Sequence, residues 1–331
     1  GDPNQLPPIG VGRPFVDLVA YLENTLPDAG QPNLRDAVGR LTIEVRTKAG
    51  APSDALRLAS WFTNTAPGGE AERVMCELGG DAKFNDLEVV HWKTPQDLRT
   101  NILAQFQKQL GLSEPNDVAG FNKALGYADE GWIKYDDPDG VENFQILSPV
   151  RPHPYGVSEL NRWIQSHFRA KELEQARQPW GTKIGDEAIV VNDKIIQLVN
   201  ETRGAYDWTT RSQTDVYIAN GEIGGVARGK SGYLNVFFAG RKNLGFGYRN
   251  SDFGEDFVPL ELAYALTIHK AQGSQFKTVF VVIPKSSRLL SRELIYTALT
   301  RSREKLVLFV EGDSSGLLYE LSKPERADAA R

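Results

Sequence analysis

The sequence predicts an α/β protein with a β-rich segment set into it, and three observations carry that reading. Short apolar runs at 87–92, 144–148, 278–283 and 306–310 each neighbour a segment with apolar residues at helical spacing, the alternation that builds a helix-covered sheet. Between about Lys183 and Asp256 long helical patterns give way to short β runs broken by Gly and Asn. The C-terminal apolar runs lead into patches of His, Lys, Gln, Gly and Arg that an ordinary core does not need.

Composition bounds the function. A chain of 331 residues holds two or three compact units, because single cores stop growing near ~250 residues. Hydrophobic residues at 40% and charged residues at 24% are an ordinary globular balance. No apolar run approaches the ~18 to 20 residues a bilayer span needs, and no charged-then-apolar leader opens the chain; a soluble, cytoplasmic protein without a membrane partner is expected. Cys76 is the single cysteine and the four histidines are not clustered, so neither an internal disulfide nor a protein-held metal is expected. A net charge of −5 argues against coating nucleic acid but not against a narrow basic channel.

In chain order, the opening GDPNQLPP reads as a polar, proline-stopped loop containing Gln5. Its Asp-Pro-Asn suits a capped surface turn, while a planar amide such as Gln5 also suits contact with a water and a phosphate oxygen. Pro14 to Leu26 should be an amphipathic helix and 27–33 a connection. Leu41 to Lys48 is a short strand ending at Arg46, followed by a helix over Ser53 to Phe62. Asp86 to Leu110 gives a strand and a helix, and 111–142, acidic and turn-rich, reads as a surface excursion without chemistry. Phe144 to Arg151 is a buried strand entering a loop, with a helix from Gly156; Ser148, Arg151 and Asn161 sit where that loop could meet a phosphate backbone, though Asn161 could equally brace the fold. The aromatics Tyr217, Tyr233, Phe237 and Phe238 of the β-rich segment are expected in its core.

The run Tyr264 to Pro284, YALTIHKAQGSQFKTVFVVIP, couples Thr267, His269 and Lys270 to a turn at Gln272–Gln275 and then a strand. Gly273 permits close backbone approach, and Thr and His bond phosphate and sugar without discriminating bases. A helix over Glu293 to Thr300 then carries Arg301 into SREK and a last strand.

In that order, GD-x-x-QLP, HKAQGSQF and TALTRSR resemble the motifs of superfamily 1 helicases, most closely the RecD-like branch, over nearly the whole chain. The resemblance implies a RecA-like fold of the P-loop NTPase type: 1–38 as the tail of a first motor domain, 39–181 with 257–331 as the second, and 182–256 as an inserted SH3-like β-barrel. It implies that Gln5 senses a γ-phosphate, that Arg46 reaches it from the second domain, that Gly273 belongs to the nucleotide-binding set, and that Arg301 is an arginine finger, a fork that stays charged and meets phosphate oxygens in parallel. Thr267, His269, Lys270 and Gln275 would hold the nucleic acid, with Ser148, Arg151 and Asn161 near by; the family more often has Glu where this chain has Gln275. Asp193-Lys194 with Gln197 and Asn200, and Asn220 to Gly224, match the family's barrel. The implied reaction is hydrolysis of ATP with Mg2+, coupled to 5′-to-3′ stepping on single-stranded DNA, RNA remaining open.

The ATP-anchoring loop and the magnesium-holding Asp-Glu strand are expected to precede Gly1, in a missing N-terminal motor half. Gly224 to Ser231 does fit G-x-x-x-x-G-K-[ST], but that loop requires a strand before it and a helix after it. Here a hairpin signal precedes and β-formers follow, so Lys230 and Ser231 are read as a turn. Two other readings stand beside the helicase: a noncatalytic nucleic-acid clamp, and a helicase half partnered with subunits of a nuclease complex.

Overall fold

The computed structural model describes residues 1–7, 12–25, 33–39, 53–80, 82–128, 133–229 and 232–323. Arg46 and its expected strand lie outside these residues, as do Lys230 and Ser231. Helix α1 (Pro14–Asn24) starts at a proline and buries none of its residues. Helices α2 (Asp54–Ser60) and α3 (Gly69–Glu77) follow, α2 capped by the Ser53 hydroxyl, which accepts from Leu56 N. Strand β1 (Leu87–Trp92) leads into α4 (Pro95–Leu110), which a reciprocal Thr94–Asp97 capping box opens and Gly111, at φ +76°, closes.

Next come α5 (Val118–Ala124), β2 (Phe144–Ser148), α6 (Val157–Phe168) and α7 (Ala170–Ala176). Seven short strands then follow: β3 (Lys194–Gln197), β4 (Glu201–Asp207), β5 (Ser212–Ile218), β6 (Ile223–Ala227), β7 (Leu234–Phe238), β8 (Leu244–Tyr248) and β9 (Leu260–Leu262). The chain finishes with β10 (Ala265–Thr267), β11 (Phe276–Ile283), α8 (Arg292–Leu299), β12 (Ser302–Glu311) and α9 (Ser314–Ser322).

The strands form two sheets of different kinds. One is parallel, in the order β1-β12-β11-β2-β10. Its central members are continuous apolar runs, Val279–Ile283 and Leu306–Val310, every residue of which is buried, as a sheet covered on both faces requires. The other is antiparallel, in the order β5-β4-β8-β7-β6-β3-β9, with β5 and β9 at its edges. Phe106 of α4 and Phe121 of α5 pack with each other, with Phe144 of β2 and with Phe168 of α6, and Phe106 also meets Phe280 of β11.

The segment 111–142 is therefore more than a surface excursion. Phe121 stacks on Phe168 with centroids 3.8 Å apart, and the buried Tyr127 hydroxyl donates to the carbonyls of Asp193 and Val226. Phe237 and Phe238 are core, but Tyr217 is 55% exposed, because β5 is an edge strand with one neighbour.

The two sheets meet through the Asp-Lys-x-x-Gln-x-x-Asn run. Lys194 Nζ donates to Phe144 O at 2.6 Å. The Asp193 carboxylate accepts from Tyr264 OH (2.7 Å), Gln165 Nε2 (2.7 Å) and Val190 N (2.8 Å). Gln197 bridges Val199 O, Glu201 and Tyr248 OH, and Asn200 Oδ1 accepts from Asn220 N. The run is thus a structural joint.

Candidate functional site

Two groups of the expected residues are brought together, joined by the loop between β10 and β11. Ile268 and Ala271 are fully buried and anchor the loop. Thr267 Oγ1 accepts from Lys270 N at 3.2 Å, and Thr267 O, His269 O and Ala271 O accept from Ala271 N, Gln272 N and Ser274 N. The winding turns His269, Gln272 and Gly273 outward, while Gln275 is half-buried. Gly273 lies at φ +90° with nothing within 4 Å of the position a Cβ would take, so glycine serves the backbone conformation and leaves the chain open to approach. Partial desolvation holds the His269 imidazole below its usual range.

The first group surrounds Glu261 on β9. Arg151 Nη2 donates to Glu261 Oε1 at 2.9 Å and Lys270 Nζ to Glu261 Oε2 at 2.8 Å. Burial raises the Glu261 carboxyl pKa, but the bonds from Lys270 and Arg151 outweigh it and hold the group below its usual range. Near by, burial pushes Glu187 up although its carboxylate accepts from Leu262 N at 2.7 Å.

The second group surrounds α8. Leu6 N donates to Thr297 Oγ1 at 3.0 Å, Gln272 Nε2 donates to Leu6 O at 3.0 Å, and Tyr296 OH donates to Asp2 Oδ2 at 3.0 Å. Gln5 Nε2 donates to the same Asp2 oxygen at 3.2 Å. Arg301 is 3% exposed. Its guanidinium donates to Thr297 O (2.9 Å), Ser274 O (3.1 Å) and Thr300 Oγ1 (3.1 Å), and so is folded back onto the end of α8, where helix carbonyls want donors.

Two expected phosphate contacts are corrected. Ser148 is fully buried and its hydroxyl donates to Tyr155 O at 3.1 Å. Asn161, 2% exposed, donates to Leu262 O and Ala265 O and accepts from Ala265 N at 2.7 Å. Both brace the sheet. Gly224 and Gly225, which open the phosphate-loop match, lie in β6 paired with Phe238 and Phe237. Glu261, Gln272, Tyr296 and Thr297 carry contacts that sequence reasoning did not assign; Gln272, Tyr296 and Thr297 stood inside the quoted motifs, whereas Glu261 gave no signal. Among the described residues no group of three His, Cys, Asp or Glu could hold a metal, and no helix is long and apolar enough to cross a membrane.

Residues 262–309, from the end of β9 into β12, match the family described as UvrD-like helicase C-terminal domain. An uncharacterized protein of Methanocaldococcus jannaschii is 25% identical over 96% of this chain and 26% of its own length. The ATP-dependent RecD2 DNA helicase of Deinococcus radiodurans is 31% identical over 52% of this chain and 20% of its own length. The RecBCD enzyme subunit RecD of Mycolicibacterium smegmatis is 25% identical over 92% and 43% respectively. A Pif1 helicase from Bacteroides covers 63% of this chain and 48% of its own at 17% identity with a TM-score of 0.29, too low to carry a structural argument. The family match and the RecD relatives support a RecD-like helicase region of superfamily 1. It spans between a fifth and under half of the length of these curated relatives.

Proposed function

We propose that the chain is the C-terminal part of an ATP-dependent DNA helicase that couples ATP hydrolysis to 5′-to-3′ translocation on single-stranded DNA. One observation carries the reading: the GDPNQLP segment is bonded both to α8, through Thr297, and to the β10–β11 loop, through Gln272. Three motifs far apart in sequence thus meet at one corner, as a protein that links nucleotide state to strand contact requires.

In this reading 1–38 is the tail of a first RecA-like motor domain, 39–181 with 257–331 is the second, and 182–256 is an SH3-like barrel. Exposed Phe15, Leu18 and Tyr21 on α1 fit a helix whose packing partner is another unit. Gln5 senses the γ-phosphate, with Arg46 and Arg301 as the cations that approach it. Arg151, Thr267, His269, Lys270 and Gln275 hold the strand, and Gly273 joins Gln5, Arg46 and Arg301 at the nucleotide. ATP and Mg2+ are held mainly by residues outside this sequence, and no residue here is assigned to the metal. The name of one relative, a DNA helicase, supports DNA as the strand, and that of another, an enzyme subunit, supports further subunits as partners, which we take to be those of a nuclease–helicase complex. The cytoplasm is the proposed location.

A second reading, a noncatalytic clamp, is favoured by the enclosed Arg301, whose bonds to Thr297 O and Ser274 O must open before it can reach a phosphate. Strand-stimulated ATP hydrolysis by the full-length protein decides. Arg301→Ala is expected to lower turnover by about 10³-fold or more with oligo(dT) binding retained; near-normal turnover refutes the finger, and no turnover by the parent protein establishes the clamp.

A further inference from the structure

Glu261 is bonded at once to two of the cations that the proposed reading gives to the strand. Arg151 follows β2 and Lys270 follows β10, both in the parallel sheet, yet the carboxylate that joins them comes from β9, in the antiparallel one. Each carboxylate oxygen takes one cation, in charge-assisted bonds of the length a phosphate oxygen would make with the same donors. The Arg151 and Lys270 side chains remain 42% and 31% exposed and Glu261 21%, so the bridge is within reach of a strand.

The three residues differ in freedom. Glu261 is fixed by its backbone, paired to Ile196 of β3, and by the adjoining Leu262 N, which Glu187 holds. Arg151 and Lys270 stand on loops at the ends of long flexible stems. If a phosphate draws the cations outward, the carboxylate, on a shorter stem rooted in a paired strand, follows less far than they can move. Bond exchange is then the outcome, rather than a larger network.

We infer that Glu261 sets the strength of the strand grip by acting as an internal phosphate mimic, occupying donors of Arg151 and Lys270 that a strand phosphate takes over on binding. Binding then replaces one ion pair by another, which keeps the grip weak enough to be released at each step. This inference rests on the reading that Arg151 and Lys270 contact the strand.

The test is titration of this chain with fluorescein-labelled oligo(dT) of about 16 nucleotides at several salt concentrations. Glu261→Gln keeps the shape and removes the charge. It is expected to tighten binding about three- to tenfold at low salt, the effect of one unit charge ~5 Å away under surface screening, and to steepen the plot of log K against log salt by about 0.7, one additional neutralised phosphate. Glu261→Asp, which keeps the charge but shortens the reach, is expected between parent and Glu261→Gln. Arg151→Ala and Lys270→Ala should each weaken binding. If they do while Glu261→Gln and Glu261→Asp bind no tighter than the parent, the Glu261 inference alone is overturned. If neither alanine variant weakens binding, or the parent does not bind, the strand reading falls and this inference with it.

Discussion

Lys194 offers the sharpest quantitative check on how the two sheets are joined. Its ammonium is fully buried, donates to Phe144 O, and lies 5.1 and 5.5 Å from the ring centroids of Phe144 and Phe276. Burial pushes its pKa down from 10.5 to about 7, with Glu142 opposing. The unfolded chain therefore binds a proton between about pH 7 and 10.5 that the folded chain has released, so stability rises with pH across that window. The limiting slope is about 1.4 kcal/mol per pH unit, which amounts to roughly 2 kcal/mol between about pH 7.5 and 9.5. Lys194→Met keeps the straight apolar stem and removes the titration. Urea unfolding of both proteins across this range should show the parent gaining about 2 kcal/mol relative to the variant. Asp193 does not interfere. Burial raises its pKa to about 6, so the folded chain keeps a proton the unfolded one loses, and its contribution falls between about pH 4 and 6 and is level above. Parallel stability curves for parent and Lys194→Met would refute the buried, deprotonating lysine.

Asn161→Ala removes three buried hydrogen bonds around the β9–β10 junction and is expected to cost about 2 to 3 kcal/mol of stability, read by denaturant unfolding. Affinity of the folded fraction for oligo(dT) should be unchanged, and a selective loss of affinity would restore Asn161 as a strand contact. Thr297→Val leaves the buried Leu6 N–H without its acceptor; hydrogen exchange at Leu6 should accelerate by about tenfold or more, and unchanged protection would show that the GDPNQLP segment is held by other contacts.

How much of this was legible from sequence follows physical lines. The central parallel strands announce themselves because both faces are buried, which forces unbroken runs such as Val279–Ile283. The loop at His269–Gln275 is legible because its residue types are surplus to any core. By contrast α5 is masked by the acidic, turn-rich composition around it, with Phe121 and Asn122 as its buried residues and Leu125 and Tyr127 buried just after it. Glu261 looks like the solvent side of an alternating strand, and nothing in the chain order says that β9 lies beside both cations.

The strand-end polar residues show where motif reading needs a further physical criterion. Ser148, Asn161, Arg151 and Lys270 all fall near the ends of β2 and β10 or on the helix that follows, and residue type alone gives each of them to a phosphate. Reach separates them. A serine or asparagine has one or two side-chain carbons, so at a buried position its polar group finds the nearest backbone, as Ser148 finds Tyr155 O and Asn161 finds Leu262 O and Ala265 O. Arginine and lysine carry their charge past the sheet edge, and Arg151 and Lys270 stay partly exposed even while bonded to Glu261. Arg301 has the same reach but is turned back, because α8 ends beside it with carbonyls to fill and Ser274 O completes the pocket. A long cationic stem near a sheet edge therefore points to a strand contact only where no helix terminus lies within its reach to claim it first.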